Sequence, residues 1–251
     1  MILEVDGVKF GYNGKDILKN VQLNVDRGEM LVILGPNGVG KTTLLRCINA
    51  ILKPKAGTIM VEGGDVLKME PAAIARRVGY VAQYQAKTRM TAFDAILMGR
   101  KPHIRFRTSH EDLHMVDGAI KVLGLEDLAM RHIDEMSGGE LQKVAVGRAL
   151  VQEPRLMLLD EPTSSLDLKN TMNILSLIQR VVKEHNVGAV MTMHNLNSAL
   201  RFADKFVFLK NGEIHSAGEI QEVSAEMIRD VYDIPVEILH HNGRPLVAPL
   251  N

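Results

Sequence analysis

Two short segments far apart in the chain carry side chains suited to phosphate chemistry. One is Gly35-Pro36-Asn37-Gly38-Val39-Gly40-Lys41-Thr42-Thr43, and the other is an apolar run, Leu156-Met-Leu-Leu159, ending in Asp160-Glu161. The first fits G-x-x-x-x-G-K-[ST], in which glycines let successive backbone N–H groups turn toward phosphate oxygens. Lys41 then reaches the phosphates, and the Thr42 hydroxyl is a small hard oxygen ligand for Mg²⁺. A carboxylate at the carboxyl end of a parallel strand complements that hydroxyl, so Asp160 is assigned to Mg²⁺, directly or through water. Glu161, one residue beyond the strand, can face the γ-phosphate and polarise an attacking water. Together the two segments imply a site that binds and cleaves ATP.

The elements that must position these groups are visible in the apolar pattern. Met30-Leu-Val-Ile-Leu34 reads as a buried parallel strand, and residues 42–52 have helical apolar spacing, which puts the glycines in the loop entering a helix N-terminus. Residues 2–10 and 17–25 read as strands around a Gly11–Gly14 turn, residues 57–64 as a short strand and 78–81 as another. From about residue 86 to 153 the pattern turns helical, with segments near 92–99, 109–123 and 139–152. Strand signals return at 156–160, 187–193, 205–209 and 213–216, with a long helix over 167–185 and a turn at Asn211-Gly212. The last 30 or so residues read as a short helix and a weak hairpin around Asn242-Gly243. The expected fold is α/β: a phosphate-loop nucleoside triphosphatase core over 1–251, with an N-terminal antiparallel β subdomain and an inserted helical subdomain at approximately 86–153.

Composition narrows the classes. A chain of 251 residues with 46% hydrophobic residues is long and apolar enough for one large domain or a core with a subdomain. Thirty basic against thirty acidic residues give no global attraction to nucleic acid or anionic lipid. A single cysteine, Cys47, excludes an intrachain disulfide and a four-cysteine metal site, and its place on the helix after the phosphate loop favours a packing role. Acids at Glu4 and Asp6 stand where a secretion signal would carry basic residues, and no stretch nears about 18 apolar residues, so a soluble, cytoplasmic chain is expected.

Between the two phosphate segments lies Met136-Ser137-Gly138-Gly139-Glu140-Leu-Gln-Lys-Val-Ala-Val-Gly-Arg-Ala-Leu150. Ser137 can cap the following helix while Gly138 and Gly139 expose its first N–H groups, forming a second anion site. These residues, with the phosphate loop and the stretch from Leu156 to Asp167, resemble the ATP-binding cassette family, whose signature is usually L-S-G-G-Q. Met136 and Glu140 stand here in place of its Leu and Gln. The resemblance covers essentially the whole chain and implies further roles. Tyr12 takes the place of the aromatic that stacks on adenine. Gln83 takes that of the glutamine that senses Mg²⁺ and the γ-phosphate and links the core to the helical insertion. His194 takes that of the histidine that binds the γ-phosphate and holds the attacking water and glutamate. Asp167, at the end of Ser164-Ser-Leu-Asp167, belongs to the loop by which each subunit reaches its partner's site.

In family members the Ser137 turn faces the phosphate loop of a second cassette, so the resemblance implies a head-to-tail homodimer enclosing two ATP molecules. Met69–Gln83, Met98-Gly-Arg-Lys-Pro-His103 and Val231-Tyr-Asp-Ile-Pro-Val-Glu237 resemble ATPase subunits of importers for iron-siderophores, haem and cobalamin. Such subunits dock on the cytoplasmic face beneath two transmembrane permease subunits served by a substrate-binding protein. Segment 84–110 is the expected docking surface, with Met90, Phe93, Met98 and Phe106 as apolar contacts and Arg100, Arg105 and Arg107 as a charged rim. A soluble cassette acting in DNA maintenance or translation, and an exporter ATPase, remain open at this point.

Overall fold

The computed structural model describes residues 1–83, 88–104, 106–164, 166–241 and 243–250. Four sequence-based readings fall outside them: residues 84–87 of the docking segment, rim residue Arg105, Ser165 in the loop before Asp167, and Asn242 of the last hairpin turn. At the amino end β1 (Leu3–Tyr12) and β2 (Lys15–Val25) pair antiparallel, Leu3 opposite Val25 and Tyr12 opposite Lys15. The turn is tighter than the expected Gly11–Gly14: Asn13 and Gly14 have φ of 46° and 82°, the handedness that matches strand twist in a two-residue hairpin.

The chain then enters β3 (Met30–Leu34) and, past the glycine loop, α1 (Lys41–Ile48). α1 is shorter than the 42–52 expected, because the N–H groups of Ile51 and Leu52 fold back to the Arg46 carbonyl (2.9 and 3.1 Å) as Ala50 takes φ 52°. β4 (Ala56–Val61) and β5 (Gly64–Asp65) complete a four-stranded sheet of order β2-β1-β4-β5. A short helix, α2 (Pro71–Ala75), starts on a proline, whose missing N–H costs nothing at a helix start. It leads into β6 (Val78–Val81).

Between β6 and the next strand run α3 (Ala92–Leu97), α4 (His110–Leu123) and α5 (Gly138–Leu150). The expected helix over 92–99 ends earlier, passing into a 3₁₀ turn at Met98–Arg100. Both α4 and α5 begin with reciprocal caps, Ser109 with Asp112 and Ser137 with Glu140, each pairing a serine with an acid three residues on. The rest of the chain is β7 (Leu156–Asp160), α6 (Leu168–Glu184), β8 (Gly188–Thr192), α7 (Leu196–Phe202), β9 (Lys205–Lys210), β10 (Glu213–Glu219), α8 (Ala225–Tyr232), β11 (Val236–His241) and β12 (Arg244–Pro249). α2 and α7 have no counterpart in the sequence reading.

The second sheet has the order β10-β9-β3-β8-β7-β6, parallel throughout except for β10. β3, β7 and β8 are buried at every residue, as strands covered on both faces must be. Their alternation divides two cores. Leu31, Ile33, Leu156, Leu158 and Val190 face the N-terminal sheet and α1, while Met30, Val32, Met157, Leu159 and Met191 face the helices of the other layer. Cys47 is fully buried in the first core, and burial pushes its thiol up to about 12, in keeping with a packing role.

One expectation for the docking surface is corrected. Arg100 is not on a charged rim but 6% exposed, its Nε donating to Asp112 Oδ1 at 2.8 Å and its Nη1 to Val151 O and Glu153 Oε2 at 2.7 Å each. A guanidinium carries donors for all three acceptors and so bolts the start of α4 to the end of α5. Met98 (49%) and Phe106 (98%) are exposed, whereas Met90 and Phe93 are half-buried against the helical core. No helix among the described residues is long and apolar enough to cross a membrane.

Candidate functional site

The order of the second sheet brings the carboxyl ends of β3, β8, β7 and β6 side by side, the edge at which open α/β sheets bind ligands. The phosphate loop follows β3, His194 lies two residues past β8, Asp160 closes β7 and Gln83 lies two residues past β6. Register aligns them further: Thr192 pairs with Ile33 on one side and Asp160 on the other.

The loop is shaped by its glycines. Gly35 has φ 145°, and a β-carbon there would lie 2.3 Å from the Leu209 carbonyl oxygen, so only glycine fits between loop and β9. Gly40 (φ 112°) is the N-cap of α1 and offers no side-chain cap, which leaves the first-turn N–H groups available to an anion. Lys41 is buried, and its Nζ donates to Gly35 O (2.7 Å) and Pro36 O (3.0 Å), bridging the loop. Burial lowers the affinity of its amine for a proton, and the nearby carboxylates of Glu161 and Asp160 oppose that shift. Val39 packs against the core beneath the loop.

Asp160 is 1% exposed and collects three hydroxyl groups. Thr42 Oγ1 (2.9 Å) and Thr192 Oγ1 (2.8 Å) donate to its Oδ1, and Tyr80 OH approaches Oδ2 at 3.4 Å. Glu161 adopts a positive φ of 50°, uncommon for a non-glycine residue and a place where strain is kept at functional sites. Its N–H donates to Thr192 Oγ1 (3.0 Å) and Thr192 O (3.2 Å). Its carboxylate is gripped at both oxygens: Gln83 Nε2 donates to Oε2 at 2.5 Å, and His194 Nε2 meets Oε1.

These groups open onto a cleft of about 360 Å³ whose lining includes Tyr12, Asn37, Gly38, Gly40, Lys41, Thr42, Thr43, Gln83, Glu161 and His194. Tyr12 lines it too, 47% exposed and perpendicular to Phe10 with ring centroids 4.8 Å apart, an aromatic of the kind that can cover a flat base. Ser137, Gly138, Gly139 and Asp167 do not line this cleft. Ser137 caps α5, its Oγ accepting from Glu140 N (3.3 Å) while Glu140 Oε2 accepts from Ser137 N (2.8 Å). Asp167 caps α6 by accepting from Asn170 N at 2.7 Å.

Among the described residues no group of three or more His, Cys, Asp or Glu side chains is placed to cage a metal. One hydroxyl and one carboxylate, Thr42 and Asp160, 2.9 Å apart, begin the sparse all-oxygen set that suits Mg²⁺ when phosphates supply the remaining ligands, and Gln83 lines the same cleft as Thr42. The sequence reading missed Thr192 and Tyr80. Thr192 had a signal, a lone hydroxyl in the apolar run Val190-Met-Thr-Met193. Tyr80 had none, since its contact depends on β6 lying beside β7.

Residues 18–164 match the ABC transporter family. An uncharacterised ABC transporter ATP-binding protein of Methanocaldococcus jannaschii is 48% identical over 250 residues, covering 100% of this chain and 98% of that protein. The petrobactin import ATP-binding protein FpuC of Bacillus anthracis is 31% identical over 99% of this chain and 93% of its own length. The cobalamin import ATP-binding protein BtuD of Halobacterium salinarum is 35% identical over 95% of this chain and 60% of its own length. Among solved structures, a metal-chelate type ABC transporter in an inward-facing conformation superposes with a TM-score of 0.85 at 28% identity, over 100% of this chain and 98% of that one. A dimeric cassette in a post-hydrolysis state, bound to ADP and Pi, superposes with a TM-score of 0.79 at 28% identity, over 87% of this chain and 98% of that one. With a phosphate loop, a paired acid and a gripped glutamate at one sheet edge, these matches make the chain a member of the ABC transporter family and an ATP-hydrolysing cassette.

Proposed function

We propose that this ATPase powers membrane import of a metal-chelate compound such as a ferric siderophore, haem or cobalamin. The observation that carries the reading is the full-length likeness to a metal-chelate type transporter, joined by relatives that import petrobactin and cobalamin. On this reading, residues 1–251 form one cassette with a helical arm at approximately 86–153. It sits on the cytoplasmic face of the membrane against two permease subunits served by a substrate-binding protein. The exposed side chains of Met98 and Phe106 are apolar groups suited to a permease helix.

The site residues take these roles. Gly35, Pro36, Asn37, Gly38, Val39 and Gly40 shape the phosphate cradle, with amides through Thr43 toward the β- and γ-phosphates and Tyr12 against the adenine. Lys41 neutralises phosphate charge. Mg²⁺, held by Thr42 and Asp160 with Gln83 close by, supplies charge neutralisation at the phosphates when bound. Glu161 aligns a water and accepts its proton, and its hold by Gln83 and His194 keeps the carboxylate directed at the γ-phosphate. Since Ser137, Gly138, Gly139 and Asp167 do not line their own chain's cleft, they are assigned, as the family resemblance implies, to a partner's nucleotide in a head-to-tail homodimer, of the kind that C₂ symmetry closes with two equal sites.

The test is transport by the reconstituted complex of this chain, its co-purifying permease and a binding protein. ATP-dependent uptake of at least one of ferric siderophore, haem or cobalamin into vesicles is expected. Uptake of none of them, with ATPase activity intact, would refute the cargo class.

A further inference from the structure

The carboxyl-terminal helix reaches the phosphate loop, a contact that none of the catalytic assignments uses. Gly35 N–H donates to the Tyr232 hydroxyl at 2.9 Å across 197 residues of sequence. The same glycine's carbonyl accepts from Lys41 Nζ at 2.7 Å. Gly35 is buried, and β9 closes its remaining side, with the Leu209 carbonyl where a β-carbon would stand.

Tyr232 is itself held. Its ring meets Phe208 edge-on with centroids 6.3 Å apart, and Phe208 is fully buried. Lys210, at the end of β9, donates to the Asp230 carbonyl in the last turn of α8. Burial pushes the Tyr232 hydroxyl up to about 12, so it stays neutral at ordinary pH and accepts the glycine N–H without adding charge beside Lys41.

We propose that Tyr232 is a positioning residue for nucleotide binding, its hydroxyl fixing the first glycine of the phosphate loop so that the loop stands preformed for phosphate. The inference rests on the reading of residues 35–42 as the phosphate cradle and extends it to a residue in α8. A buried N–H must be paired. Without the hydroxyl, Gly35 keeps its carbonyl tie to Lys41 but loses the tie on its amide, and loop conformations that turn this N–H toward water gain population. The apparent affinity for nucleotide then falls by the fraction of molecules still in the competent shape. Once nucleotide is bound the loop is held by phosphate, so the chemical step is spared.

The experiment compares wild type, Tyr232→Phe and Lys41→Ala in the full chain, measuring KM and kcat for Mg-ATP, melting temperature and hydrogen exchange of the Gly35 amide. Tyr232→Phe keeps the ring against Phe208 and removes only the hydroxyl. Its KM is expected to rise roughly 3- to 10-fold, the equilibrium worth of a single hydrogen bond, with kcat within about 2-fold of wild type and faster exchange at Gly35. Unchanged KM overturns the proposal, even with a lowered melting temperature, because Tyr232 would then only brace the fold. Unchanged exchange overturns it by removing the bond, and a loss confined to kcat overturns it by placing the effect in the chemical step. Lys41→Ala tests the underlying reading separately: wild-type KM and kcat in that variant would refute the phosphate cradle whatever Tyr232→Phe shows.

Discussion

Thr192→Val removes one hydroxyl and little volume from the centre of the site. The Thr192 Oγ1 donates to Asp160 Oδ1 at 2.8 Å and accepts from Glu161 N at 3.0 Å, and the residue is fully buried. A hydrogen bond to a charged group contributes about 1.5–3 kcal/mol. Two observations place the loss in the lower half of that range. Asp160 Oδ1 keeps its bond from Thr42 at 2.9 Å, and the Glu161 amide keeps the Thr192 carbonyl at 3.2 Å, so neither group is orphaned. A loss of about 2 kcal/mol in a chain of this size lowers the melting temperature by ~4–8 °C. Turnover should suffer more than stability suggests, because the same hydroxyl sets the positions of both acids. Small misplacements of reacting groups cost up to about 100-fold in rate, and a 10- to 100-fold fall in kcat is expected. Calorimetry and steady-state ATP hydrolysis read the two effects. A variant that melts and turns over like wild type would refute the bridge, and lowered melting with unchanged kcat would refute its part in aligning the acids.

Glu161→Gln should still bind Mg-ATP while kcat falls by at least about 10²-fold, since an amide cannot take the proton from water; the nucleotide-bound dimer should then accumulate in light scattering, and a monomer at saturating ATP would refute the closed pair. Arg100→Met takes the guanidinium from Asp112 Oδ1 while Oδ2 keeps the Ser109 N–H and hydroxyl, and should destabilise the chain by about 1.5–3 kcal/mol in denaturant titrations. Asp112 itself is held down from 3.8 to about 2, first by the Ser109 N–H and then by Arg100 and the Ser109 hydroxyl. A depressed carboxyl contributes stability above its unfolded value and loses it as pH falls toward the folded one. Wild type should therefore lose melting temperature as pH drops from 3.8 toward about 2, and Asp112→Asn should show a shallower slope over that interval. Phe106→Asp should leave hydrolysis by the isolated chain unchanged while abolishing its stimulation in the permease complex; equal loss in both would refute a docking role for that side chain.

Local chemistry explains which parts of the fold were legible. β3 is a short unbroken apolar run, β7 and β8 carry no polar side chain before their last residue, and the two parallel neighbours of each dictate that composition. α6 declared itself by period, while the part Asp167 plays in starting it, accepting from Asn170 N, came only with the structure. Boundaries failed where backbone closure rather than composition ends an element, as at α1, whose last apolar residues belong to the turn that follows. α7, only seven residues long, is too brief for helical spacing to separate from loop. Arg100 was misread because a basic residue beside exposed Met98 looks like surface, and its acidic partners come from α4 and from the turn after α5.

The candidate site divides along the same line. Lys41, Asp160, Glu161 and His194 stand in recognisable local settings, Lys41 at the helix start that ends the glycine loop and the other three at or just past the end of a strand. The hydroxyls that hold them do not. Thr192 bonds to Asp160 because β8 lies beside β7, and Tyr80 approaches the same carboxylate because β6 lies on the other side of β7. Tyr232 meets Gly35 because α8 packs on the end of β9. Each contact follows from the order of strands, which depends on long-range pairing that no local window of sequence encodes. A phosphate-binding loop can thus be read from nine consecutive residues, Gly35 to Thr43, while the hydroxyls that brace it and hold its acid come from three other elements, β6, β8 and α8. Variation at those holding residues should tune affinity and turnover without altering any of the motifs that identify the family.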